Sequence, residues 1–182
     1  MMQRYPRLSM FFHWLIALLI IVAFIVGSIM TDLSFSPFKL KVFSWHKWLG
    51  VTILGLVALR LITRLIKGAP PYPSTMPAWQ KNAAHWTHVL LYVLMFAVPL
   101  SGYFYTLAAG YPVVYFGLFE LPVLIPASPE LKPILKLSHI VLTKVLAAAF
   151  FIHVAAALKH ALIDKDGIFR RMLPTKSGEI SL

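Results

Sequence analysis

Seven histidines, at positions 13, 46, 85, 88, 139, 153 and 160, are the residues of this chain best suited to chemistry, and each lies within or at the end of a long apolar stretch. An ionisable ring in such surroundings is costly and marks a functional site by default. A single one could equally be an interhelical hydrogen bonder, because polar side chains commonly join helices in lipid. Imidazole ligates metals, haem iron among them, and exchanges protons near neutral pH. His139 and His153 are separated by fourteen positions. In a helix that spacing is a rise of about 21 Å and a rotation that returns to within roughly 40° of the same face. The two rings therefore address one interior stripe at two depths.

The elements that must carry them read as membrane spans. The chain of 182 residues is 59% hydrophobic and 13% charged, with a mean hydropathy of +0.78, outside the usual range for a soluble domain. Four spans are predicted, approximately 11–30, 45–66, 83–107 and 134–163, within a single domain over 1–182. The expected fold class is all-α, a four-helix transmembrane bundle. The first run follows Arg4 and Arg7 but is too long for a signal-peptide core and ends without an A-x-A-like site, so it reads as a retained span. The second closes with Arg60, Arg64 and Lys67 before a proline-rich turn at 68–73. Pro99, followed by Ser101 and Gly102, is expected to kink the third. Five prolines, at 112, 122, 126, 129 and 133, predict that the stretch 108–133 is a loop with at most short helical turns.

Charge gives the orientation. Arg4, Arg7, Arg60, Arg64, Lys67, Lys81, Lys159, Lys165, Arg170, Arg171 and Lys176 collect at one side, and Lys39, Lys41, Lys47, Lys132, Lys136 and Lys144 at the other. The positive-inside rule then predicts both termini in the cytoplasm. The net charge of +11 is distributed between apolar runs and forms no continuous basic patch, so nucleic acid is not an expected partner; the lipid bilayer is.

Depth selects the pairs, since two axial ligands must stand at one level to clamp one iron. His46 opens the second span at the outer side, level with His139, and His13 opens the first at the inner side, level with His153. Two bis-histidine sites follow, His46 with His139 and His13 with His153, for two haem b groups. The chain has no cysteine, which removes iron–sulfur clusters and covalent haem attachment. Gly50, Gly55, Ala147 to Ala149 and Ala155 to Ala157 would leave room for a flat macrocycle, or serve close helix packing.

Four segments, Arg7 to Trp14 (RLSMFFHW), Trp45 to Gly50 (WHKWLG) with Arg60 and Arg64, His85 to Gly102 (HWTHVLLYVLMFAVPLSG) and His153 to Pro174 (HVAAALKHALIDKDGIFRRMLP), resemble the bacterial cytochrome b561 family over nearly the whole chain. The resemblance implies a multi-pass protein of the bacterial inner (cytoplasmic) membrane with haem ligation at His13, His46, His139 and His153. It also implies oxidation of superoxide at the outer face and reduction of ubiquinone near the cytoplasmic face, with His88 and His160 mapping to the quinone site.

The residues add support of their own. His160 is seven positions, two helical turns, beyond His153 on nearly the same face, and a quinone reduced there needs a proton relay; anchoring a helix end at the interface is the plainer alternative for His85, His88 and His160. At the outer side, Lys47, Lys136 and Lys144 would attract a small anion such as superoxide, snorkel to the interface, or pair with haem propionates. Two other classes stand beside the superoxide oxidoreductase: a cytochrome subunit fed by a protein donor, and a haem-free carrier that uses its histidines for protons or metal ions.

Overall fold

The computed structural model describes residues 4–174. Lys176, counted above with the cytoplasmic cations, lies outside them. Four long helices form the bundle: α1 (Arg7–Asp32), α2 (Pro37–Lys67), α3 (Ala78–Ala108) and α4 (Leu131–Lys159). All four are long and apolar enough to cross a membrane, and no more than 17% of the most apolar window of any of them is buried within the bundle. So much apolar surface left outside the protein core requires lipid around it.

α1, α2 and α3 extend past their predicted spans at both ends and α4 at its start. The largest difference is at α2, which starts at Pro37 and not near Trp45. Ser36 caps it, its Oγ accepting from the Lys39 backbone N–H at 3.2 Å, and Pro37 occupies the first helical position, where a missing N–H costs nothing. Lys39 and Lys41 lower the hydropathy of those first turns without opposing the helix. At the other end, α4 gives way at His160 to one π-helical turn, His160–Asp164, followed by left-handed Lys165 and Gly167 that reverse the chain.

The stretch 108–133 departs from its expectation in kind. It holds a two-stranded antiparallel hairpin, β1 (Val114–Tyr115) paired with β2 (Phe119–Glu120). Phe116 and Gly117 both have positive φ, 49° and 74°, and Leu118 N–H closes the turn on Tyr115 O at 3.0 Å, as in a tight primed turn. A left-handed phenylalanine is uncommon, and here it stacks on Trp48 with ring centroids 4.7 Å apart. Trp48 Nε1 donates to Val114 O at 2.7 Å and the Tyr115 hydroxyl meets Thr52 Oγ1 at 2.8 Å, so the hairpin is fastened to the middle of α2.

Close helix packing runs α1 on α2, α2 on α3 and α3 on α4. Ile16, Ile20, Ile53 and Val57 form one core between α1 and α2, flanked by Tyr92 and Met95 of α3; Leu94, Leu146 and Ala149 form another between α3 and α4. Neither α1 nor α2 packs closely on α4. At one face the chain ends meet: Tyr5 N–H bonds Arg171 O at 3.3 Å, Trp14 Nε1 bonds Met172 O at 2.8 Å, and Arg171 Nη1 bonds Pro71 O at 2.6 Å. This is the terminal face, and the opposite one is the hairpin face.

Candidate functional site

The histidine pairs bridge the helices that stay apart. His13 of α1 faces His153 of α4 with ring centroids 6.1 Å apart and planes at 82°. His46 of α2 faces His139 of α4 at 6.3 Å and 80°. Two imidazoles bound to one metal from opposite sides, with bonds of about 2.0–2.1 Å and roughly 1.1 Å from each ring nitrogen to its centroid, stand about 6.3 Å apart. Both pairs meet that separation, one near each face of the bundle. The gaps between α1 and α4 and between α2 and α4 are where a macrocycle perpendicular to the pair axis would lie. The donor sets and spacing thus fit haem.

Glycines make room for two of these rings. A Cβ on Gly27 of α1 would come within 2.9 Å of His46 Cε1, and one on Gly102 of α3 within 2.9 Å of His139 Cε1, closer than side chains approach without displacement. These are not the glycines that sequence reasoning singled out. Gly50 lies in ordinary contact with Pro99, 3.9 Å from an added Cβ, and Gly55 has nothing within 4 Å, so Gly50 serves helix packing.

His139 is oriented by the part of α3 around Pro99. Its Nδ1 lies 3.0 Å from Val98 O and 3.1 Å from Ser101 Oγ. Donating Nδ1–H to the carbonyl leaves Nε2 unprotonated and free to ligate. No sequence signal identifies this acceptor, because it depends on the register of α3 against α4. The Nδ1 of His46 and the hydroxyl of Thr143, one turn past His139, are buried without hydrogen-bond partners.

At the terminal face a third ring joins the pair. His88 of α3 lies 5.4 Å from His153, centroid to centroid, too near for a metal to stand between them at the bond lengths above. Its Nδ1 is buried and unpaired. His160 belongs to a different cluster: Nδ1 is 2.7 Å from Asp166 Oδ2 and 3.3 Å from Asp164 Oδ2. Asp166 is itself held by the Ile168 N–H on Oδ1 at 3.0 Å, and Asp164 is paired with Lys159 at 2.5 Å. Sequence reasoning missed both aspartates, since only the π turn and the left-handed Lys165 fold them back onto the ring. His85 stacks edgewise on its neighbour Trp86.

The lysines divide. Lys47 is half-buried beside His46 on α2, and Lys136 is exposed on α4 about 60° around the helix from His139, close to the same face. Lys144 is exposed too, but five positions past His139 places it roughly 140° away. By helical position Lys136 falls near the face of α4 that carries His139 and Lys144 on another side, while Lys47 adjoins His46 on α2.

Comparison with known proteins gives a consistent picture. A family model described as prokaryotic cytochrome b561 matches residues 4–175. The chain is similar to cytochrome b561 homolog 2 of Escherichia coli strain K12, 32% identical over 179 residues that cover 97% of this chain and 95% of the relative. It is similar to a probable superoxide oxidase, CybB, of Yersinia pestis, 30% identical over 98% of this chain and 100% of that protein. Cytochrome b561 homolog 1 of E. coli is 27% identical over 96% of this chain.

Proposed function

Because the chain belongs to the prokaryotic cytochrome b561 family, membrane proteins that bind b-type haem and transfer electrons across the bilayer, we propose that it oxidises superoxide at the hairpin face and reduces ubiquinone near the terminal face. In this reading His46 and His139 hold one haem b, His13 and His153 hold a second, and the terminal face with both termini is cytoplasmic at the bacterial inner membrane. The observation that carries it is the pair of opposed imidazole pairs, 6.3 and 6.1 Å across, stacked about 21 Å apart along α4. The choice of superoxide is supported by the printed name of the Y. pestis relative and by the cations at the hairpin-face mouth.

Bound haem supplies one-electron exchange at its iron. The chain's own residues do the rest. His139, fixed through Nδ1 by Val98 O, offers Nε2 as a ligand, and Gly27 and Gly102 leave the room that the outer rings occupy. Lys47 and Lys136 raise the local concentration of an approaching anion, with Lys144 further from the mouth. Two superoxide anions each lose one electron and leave as O2, while ubiquinone gains two electrons and two protons to become ubiquinol. His160, its Nδ1 held by Asp166, exchanges protons through Nε2, and His88 packs on His153.

The direct test supplies superoxide to the purified protein in vesicles containing ubiquinone and measures ubiquinol. Ubiquinol formed at two superoxide anions per quinone supports the reading. Haem reduction by a protein donor alone, with none by superoxide, overturns it in favour of a cytochrome subunit of a larger complex.

A further inference from the structure

Fourteen positions beyond His46, α2 carries Arg60, at the depth where α4 carries His153 and on nearly the same face as His46. Where α4 presents a second histidine, α2 presents a guanidinium. Arg60 stands within electrostatic reach of His13, His88 and His153. Its Nη1 donates to Ser9 O at 2.7 Å, and no carboxylate pairs with it among the described residues. Three further groups around it are buried without hydrogen-bond partners: Ser9 Oγ, Tyr92 Oη and His88 Nδ1. Tyr92 lies beside the guanidinium, close enough to interact with it.

A guanidinium partly withdrawn from water without an anion is unfavourable, and each buried unpaired polar group beside it adds to the cost. All of these deficits are met by one ligand that is negatively charged and accepts several hydrogen bonds. We propose that Arg60, Tyr92 and Ser9 form a carboxylate socket that holds a propionate of the haem clamped by His13 and His153. The assignment rests on the reading that this pair binds haem. A guanidinium fork takes both oxygens of a carboxylate at once. A quinone head group offers acceptor oxygens too, but it is neutral and leaves the half-buried cation uncompensated.

The test compares Arg60→Gln and Arg60→Lys with the wild-type holoprotein, reading haem loss to apomyoglobin and the midpoint potential of the inner haem, and repeats the haem-loss assay after reconstitution with haem dimethyl ester. A charge-assisted pair of this kind should hold the inner haem about tenfold or more longer. Arg60→Gln should lose that haem faster by that factor and show a lower potential, because a positive charge favours the reduced iron. Arg60→Lys should fall between. With the esterified haem, wild type and Arg60→Gln should release at the same rate. An Arg60→Gln protein that keeps its inner haem as long as wild type overturns the socket. A raised KM for ubiquinone with wild-type haem retention overturns it in favour of a quinone contact. If His13→Ala and His153→Ala both retain the inner haem, the haem reading itself has failed, an outcome separate from either of these.

Discussion

Gly102 of α3 backs directly onto His139 of α4: a Cβ there would come within 2.9 Å of Cε1 and 3.1 Å of Nδ1. The same Nδ1 carries the hydrogen bond to Val98 O. Gly102→Ala should therefore rotate the ring, break that bond and lower the occupancy of the outer haem several-fold, while the inner haem stays bound. Haem content and the low-spin absorption of the purified variant measure this. Full outer occupancy would show that the ring has freedom the structure does not give it.

The ring planes within each pair cross at 80° and 82°. Imidazole planes set perpendicular on an iron produce a strongly anisotropic low-spin ferric signal, whereas parallel planes produce an ordinary rhombic one. Electron paramagnetic resonance of the oxidised protein should show two signals of the first kind. A rhombic spectrum for both centres would mean that the rings reorient on binding.

In the proposed reading His160 serves the quinone without touching iron. His160→Ala, and more weakly His88→Ala, should keep both haem spectra yet slow reoxidation of the reduced haems by ubiquinone, by about 10²-fold if His160 is the proton relay. Asp166→Asn should reproduce part of the defect, since it removes the acceptor that holds Nδ1. Stopped-flow reoxidation measures both, and unchanged rates in His160→Ala and His88→Ala would remove the quinone from this site.

Replacing Lys47, Lys136 and Lys144 with Gln should slow haem reduction by superoxide and flatten its salt dependence, with most of the effect from Lys47 and Lys136. At about 1 M salt the Debye length is roughly 3 Å, so variant and wild type should converge. Equal rates at low salt would favour a protein donor at this face. Loss of the outer haem would instead assign the lysines to propionates.

The histidine stripe was legible because period and depth are properties of one helix: fourteen positions fix both the rise and the face of His139 and His153. The pairing across helices was read from level alone, and the structure sets those same rings 6.1 and 6.3 Å apart. What sequence could not carry lies between helices or in reversals of the chain. Gly27 and Gly102 look like any small residues until their neighbours' rings are placed against them. Asp166 reaches His160 only because Lys165 turns left-handed. Two differences did leave a trace. Ser36-Pro37 is a helix start that hydropathy obscured, and Val113-Val114-Tyr115 with Gly117 and Phe119 is a β-branched and aromatic pattern around a glycine that reads as a hairpin once the prolines are set aside.

The central claim is that two haems sit on two separate histidine pairs, and the haem-to-protein ratio of the purified protein and its single variants tests it most directly. The wild type should bind about two haems per chain, as each pair has the span of one bis-imidazole iron. His46→Ala and His139→Ala should each bind about one, retaining the spectrum of the inner centre, and His13→Ala and His153→Ala about one, retaining that of the outer. A wild-type ratio of one, or a histidine variant that keeps two fully low-spin haems, would contradict the account.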